Sequence, residues 1–110
     1  MIIEFKSNRL RKLCTKKKKA RKKLGAEVAR SLIKRLYELQ AFENLEDVPP
    51  HSPFRRHKLY GNYKGCFAVD IKGAYRIVFK PIIDTDEKIE NVPLSKINKI
   101  QILGVTDYHG

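Results

Sequence analysis

The chain has 110 residues, 42% of them hydrophobic and 33% charged, with a formal net charge of +12. That length predicts a single domain over 1–110, long enough to bury about two-thirds of its unfolded surface. Several classes are set aside at once. No 20-residue apolar run suits a membrane span, the opening MIIEFKSNRL is too short and polar for a secretion signal, and two distant cysteines, Cys14 and Cys66, make no disulfide framework.

A reducing cytoplasm is therefore the expected compartment, with both thiols as small buried hydrophobes. The chain opens on a short strand candidate, Ile2–Phe5, followed by Ser7 or Asn8 as the cap of a first helix running to about Lys23. Leu10, Leu13 or Cys14, Ala20 and Leu24 would form its narrow buried stripe. Residues 6–23 also carry eleven basic residues and no acid, whereas the remaining 13 basic residues nearly balance the 12 acids. Charge this localised calls for a polyanion. Nucleic acid is the expected partner, with anionic lipid or a merely solvated helix as the alternatives.

Gly25 punctuates, and Ala26–Phe42 is the clearest helix, because Val28, Leu32, Leu36 and Leu39 recur at three and four. Ile33 and Tyr37 are expected to widen that face. ENLEDVPP then ends the helix in a short turn capped by Asn44, and two prolines forbid its continuation.

The second half reads as strands. Phe67, Val69 and Ile71 alternate on one arm of a hairpin, and Tyr75, Ile77 and Phe79 on the other. A three-residue loop, Lys72-Gly73-Ala74, keeps these sets on one face by pairing Ile71 with Tyr75, Val69 with Ile77 and Phe67 with Phe79. Arg76, Val78 and Lys80 then share the other face with Asp70, Ala68 and Cys66. Ile82–Lys96 is an acidic, polar excursion. The last strand is apolar on both sides through Ile100, Ile102, Leu103 and Val105, which suits the interior of a sheet. It leads directly to Asp107, Tyr108 and His109. The architecture expected is α+β, with helices on one face of a mainly antiparallel sheet and the other face open.

Chemistry can gather on that open face. RNA cleavage needs a base for the 2′-hydroxyl, an acid for the departing 5′-oxygen and cations around the crowded phosphate. His57, Asp107, Tyr108 and His109 can transfer protons, and Arg76, Lys64 and Lys80 can supply charge. Ordinary ion pairing with Asp70 is the plain alternative for Arg76, and a structural role the plain alternative for His57. The stretch FRRHKLYGNYKG around His57 is basic, glycine-punctuated and aromatic, a composition suited to holding RNA. Scattered histidines and cysteines give no metal-ligand spacing, so no metal or cofactor is expected.

ENLEDVPP, HKLYGNYKG, GAYRIVFKP and the terminal DYHG, in this order, resemble the RelE/HigB-like toxins of type II toxin–antitoxin modules, and within them the HigB or plasmid-maintenance killer branch. The resemblance spans essentially the whole chain. It implies a RelE-like fold and a ribosome-dependent endoribonuclease that cuts mRNA in the decoding site. It also implies inhibition by a cognate antitoxin, a small helix-turn-helix protein of HigA type. The functional positions it implies are His57, Asp107, Tyr108 and His109, with Arg76 as the strand arginine. For RNA binding the basic residues available are Lys16, Lys17, Lys18, Lys19, Arg21, Lys22, Lys23, Lys58, Lys64 and Lys80. The chain departs from the family pattern twice. Tyr60 stands where H-x-L-K-G has lysine, and the segment 84–98 is longer than the tight turn of minimal members. A ParE-like gyrase inhibitor and a non-catalytic RNA- or ribosome-binding protein are the competing readings, and the terminal acid–base cluster argues against both.

Overall fold

Ser7 starts the helical layer by accepting the Leu10 N–H on its hydroxyl at 3.1 Å, the usual N-cap arrangement. The structure, a computed structural model, describes residues 1–107. In chain order it comprises β1 (Ile2–Phe5), α1 (Asn8–Thr15), α2 (Lys17–Leu24), α3 (Ala26–Ala41), β2 (His57–Lys58), β3 (Phe67–Asp70), β4 (Arg76–Pro81) and β5 (Lys99–Thr106). Short 3-10 turns lie in the connections, one of them over Leu45–Asp47 and capped by the Asn44 side chain as expected.

The expected single helix from Ser7 to Lys23 is instead two. Lys16 is extended (φ −106°, ψ 107°), its N–H closing α1 on the Lys12 carbonyl while its own carbonyl accepts from Ala20 and opens α2. Neither proline nor glycine marks the break, so periodicity could not reveal it. Seven of the eight residues Lys16–Lys23 are cationic, and like charges three and four apart weaken a continuous helix. The change of direction buries both Cys14 and Ala20. Burial pushes the Cys14 thiol up to about 11, which suits an inert core residue. At Gly25, φ is +85°, a conformation glycine adopts without the Cβ clash, and here it turns α2 back against α3.

α3 ends at Ala41 and buries Leu32, Leu36 and Leu39 against the sheet, as the three-four spacing requires. Tyr37 corrects the expectation for that face: it is 71% exposed, at the rim of the helix flank where half-buried Ile33 lies between α2 on one side and Ile3 and Phe5 of β1 on the other. The buried charge in the stripe is Arg35.

The five strands run in the order β1-β5-β4-β3-β2, antiparallel except for β1, which lies parallel to β5. The hairpin has the expected register, Phe67 opposite Phe79, Val69 opposite Ile77 and Asp70 opposite Arg76, with the Ile71 N–H bonded to the Tyr75 carbonyl across the loop. Phe67 and Phe79 stack at 6.1 Å between ring centroids. β5 is an interior strand, and a bulge explains why it is apolar on both sides. Val78 pairs with Gly104 but Phe79 pairs with Ile102, so Leu103 is an additional residue. Ile100 and Ile102 enter the main core, Leu103 is displaced to the other face, and Val105, opposite Ile77, turns back toward the core.

The sheet face away from the helices is not wholly open. Leu59, Ala68 and Val78 form a second, small buried cluster there, joined by Cys66 and Leu103. The acidic excursion after β4 is anchored by Ile97, which is buried and accepts the Leu45 N–H on its carbonyl.

Candidate active face of the sheet

Residues directly opposite one another on antiparallel strands share a face. His57, Ala68, Val78 and Gly104 therefore form one line across the sheet, and Asp70, Arg76 and Thr106 the next. His57 begins β2, a strand of two residues in a stretch that reads as loop from the sequence. At about 4.8 Å per strand, β2 lies about 10 Å from the Arg76 strand and about 14 Å from β5. The face thus sets these groups around a gap rather than in contact with one another. Asp107 is exposed and directly follows Thr106, the residue paired with Arg76. Tyr108 and His109 lie outside the described residues.

The geometry of His57 is specific. Its Nδ1 lies 2.7 Å from the Arg55 carbonyl oxygen. A carbonyl only accepts, so Nδ1 carries the proton and the lone pair is left on Nε2. Nε2 is buried and makes no hydrogen bond among the described residues. An unsatisfied buried acceptor costs stability, and at a proton-transfer site that acceptor is the working atom.

What holds the Arg55 carbonyl is a cluster around Asp70. Arg55 is the one non-glycine residue among those described with positive φ, +47°, a conformation costly for a residue that carries a Cβ unless its surroundings fix it. Its guanidinium binds Asp70 through two contacts, Nε to Oδ2 at 2.7 Å and Nη2 to Oδ1 at 3.1 Å. That hydrogen bonding to Asp70 raises the Arg55 pKa further above its already high value. The Asp70 N–H donates to the Phe54 carbonyl at 2.8 Å. From the helical layer, Arg35 donates through Nε to the Asp70 carbonyl at 2.9 Å, pairs with Glu38 at 2.9 Å and lies 4.5 Å over the Phe54 ring. The segment leading into His57 is thereby tied to both β3 and α3.

Arg76 also approaches Asp70, at 3.6 Å, but Arg55 holds the closer position. The ion pair expected for Arg76 is thus present and shared. Lys80 is exposed and lies near Cys66, whose thiol burial pushes up while the Lys80 charge draws it down.

The basic cluster Lys16–Lys23 does not form one patch. Lys19, Lys22 and Lys23 line a groove together with Lys6, Arg9 and Lys12 from the start of the helical layer. Lys17 and Arg21 face the opposite flank of α2, beside Arg30, Lys34 and Tyr37. Lys16 and Lys18, both exposed, line neither depression. Lys58 and Lys64 stand elsewhere, on a cavity beside the β2–β3 loop.

Sequence reasoning missed Lys6, Arg9 and Lys12 as groove residues, although they belong to the basic run, because the break at Lys16 decides which cations face each other. It also missed Arg55 and Arg35. Arg35 had a readable signal, a cation inside the apolar stripe between Leu32 and Leu39. Arg55 had none, since its role depends on a backbone conformation and on a carboxylate 15 residues away.

No protein-family model matches this sequence, and no curated protein matches it. Among solved structures, a chain of the YoeB–YefM complex from Staphylococcus aureus is similar over 100% of this chain and 98% of its own length, with a TM-score of 0.56 and 16% identity. At that identity the likeness is one of fold, and the fold is RelE-like: helices packed on a five-stranded, mostly antiparallel sheet.

Proposed function

We propose that this protein is the toxin of a type II toxin–antitoxin module and an endoribonuclease that cleaves mRNA on the translating ribosome without a metal or other cofactor. The observation that carries the reading is His57, whose Nδ1–H is held by the Arg55 carbonyl, which leaves the lone pair on a buried Nε2 that has no hydrogen-bond partner among the described residues. Nε2 takes the proton of the 2′-hydroxyl, O2′ attacks the phosphorus, and the bond to O5′ breaks. The products are a 2′,3′-cyclic phosphate and a 5′-hydroxyl. Asp107, Tyr108 and His109, which follow β5 in the sequence, are the source of the proton that O5′ receives. Arg76 meets the charge that accumulates on the phosphate.

Two further features support this assignment. The RelE-like fold occurs in a complex named for two proteins, YoeB and YefM, which favours a protein inhibitor here too. Together with the HigB-like sequence marks, it makes a small helix-turn-helix antitoxin of HigA type the cognate partner and the cytoplasm the site of action. The groove bounded by Lys6, Arg9, Lys12, Lys19, Lys22 and Lys23 offers six cations to an RNA backbone, while Lys58 and Lys64 compensate near His57 for the lysine that Tyr60 replaces.

The test is a map of mRNA 5′ ends in a reconstituted translation reaction. New ends inside translated codons, absent when initiation is blocked and when antitoxin is added, are expected; intact messages would refute the assignment. The groove makes a separate expectation. Replacing Lys19, Lys22 and Lys23 together with glutamine should lower the log–log slope of ribosome affinity against salt by about two to three, near one per lost phosphate contact. Replacing Lys17, Arg21 and Lys34, on the other flank, should change it by less than about one. Equal losses from the two triples would remove the preference for this groove.

A further inference from the structure

The chain's two departures from the family pattern meet in one place. The loop Lys58–Phe67 contains Tyr60, and the longer connection between β4 and β5 contains Ile89–Ile97. They face each other across a cavity of about 450 Å³. Its floor is apolar, built from Leu59, Phe67, Ile89, Val92, Leu94 and Ile97. Gly65 marks where the two segments touch, since a Cβ placed there would lie 3.8 Å from Ile89 Cδ1, ordinary contact distance. Lys58 and Lys64 sit on the rim with Glu90, leaving a net positive edge. Tyr60 also lines the cavity, yet 79% of its surface is in solvent.

An aromatic ring so exposed adds little to folding. Left unburied, it is an unused face beside an apolar slot with two cations at the mouth. That combination suits a nucleotide, with a planar base entering an apolar site against an aromatic ring and a phosphate near lysine. The volume lies within the range of small-ligand sites. The cavity wall also begins at Lys58, the residue next to His57. His57 and Lys58 lie on opposite faces of β2, which is the edge strand of the sheet, so an RNA strand rounding that edge from His57 would meet this slot.

We infer that this cavity is a nucleobase subsite, taking an unstacked base of the RNA next to the position at His57, with Tyr60 stacking on the base and Lys58 and Lys64 holding its phosphate. It rests on the RNA-cleavage reading above for its place in the reaction, but the binding of a nucleotide can be read without cleavage. The subsite gives a role to both departures: Tyr60 supplies a stacking surface, and the added segment supplies the opposite wall.

The experiment is a titration of the intact protein with the four nucleoside 5′-monophosphates, followed by amide chemical shifts. Saturable shifts centred on Tyr60, Gly65, Ile89 and Leu94 are expected for at least one of them. Tyr60→Ala should weaken that binding at least about fivefold, the low end for loss of one base–aromatic stack, and Tyr60→Phe should hold it within about threefold. Lys64→Ala should remove the preference for the monophosphate over the nucleoside. Absence of saturable shifts at these residues, unchanged affinity in Tyr60→Ala, or equal shifts from an unrelated apolar peptide would each overturn the subsite. Binding with these properties alongside intact translated mRNA would uphold the subsite and refute cleavage. Cleavage with no nucleotide binding at the cavity would do the reverse.

Discussion

His57→Gln should lower single-turnover mRNA cleavage on programmed ribosomes by about a hundredfold or more, the scale of one acid–base group. Glutamine can still donate an N–H toward the Arg55 carbonyl, so the local hydrogen bond to that oxygen, 2.7 Å in the native protein, need not be lost. What it removes is the basic nitrogen. The buried Nε2 has no hydrogen bond among the described residues, so the substitution takes away no hydrogen bond at that atom. Thermal melting should therefore change little, and antitoxin binding should survive. A near-normal rate in this variant would return His57 to a structural role. A rate lost together with the folded state would mean that the ring holds β2 in place. His109→Gln should behave similarly if the terminal residues supply the acid, and Tyr108→Phe tests the neighbouring phenol.

Arg35→Ala should destabilise the fold by about 3 kcal/mol, as expected when a buried, hydrogen-bonded charge is removed from among its partners. Arg35 is 6% exposed, donates to the Asp70 carbonyl and pairs with Glu38. Its truncation leaves that carbonyl without the donor, leaves Glu38 without its partner and opens a space over the Phe54 ring. Glu38 retains some access to solvent, which keeps the loss nearer 3 than 5 kcal/mol. Arg35→Met restores much of the packing but not the hydrogen bonds and should cost about half as much. Urea denaturation gives both values. A cost below about 1 kcal/mol for alanine would show that the guanidinium is replaceable by water. Cleavage by Arg35→Met should fall even where the protein is fully folded, because Arg35 secures the Asp70–Phe54 junction from which the Arg55 carbonyl is presented.

The helix–sheet packing was legible because its signals are periodic and local. Leu32, Leu36 and Leu39 announce a helix face, and the alternation on either side of Lys72-Gly73-Ala74 admits only one register that keeps Phe67, Val69, Ile77 and Phe79 together. The break at Lys16 was not legible, since an extended residue inside a run of lysines leaves no mark in hydrophobic spacing. Nor was β2, whose two residues are too few to show alternation. Candidate-site residues divide in the same way. His57 stands out by type, and Arg76 by strand parity. Arg55 acts through a left-handed backbone and a distant carboxylate, which are properties of the folded chain. The basic run showed that cations are abundant at one end, but only the angle between α1 and α2 determines that Lys19 faces Arg9 while Lys17 faces Arg30.

The additional residue at Leu103 makes position along β5 a question of parity. Upstream of it, Ile100 and Ile102 are in phase with the core; downstream, Val105 is in that phase because three residues, Ile102, Leu103 and Gly104, stand across the two residues Val78 and Phe79. Thr106 consequently lies opposite Arg76. Removing Leu103 itself would leave Ile102, Gly104 and Val105 in regular alternation and Thr106 still opposite Arg76. Removing a residue elsewhere in β5, with the bulge kept, would shift the strand by only about 3.4 Å yet exchange inside for outside over the remainder. Leu103 is thus the one position in β5 whose loss the ladder can absorb without changing which residue faces Arg76.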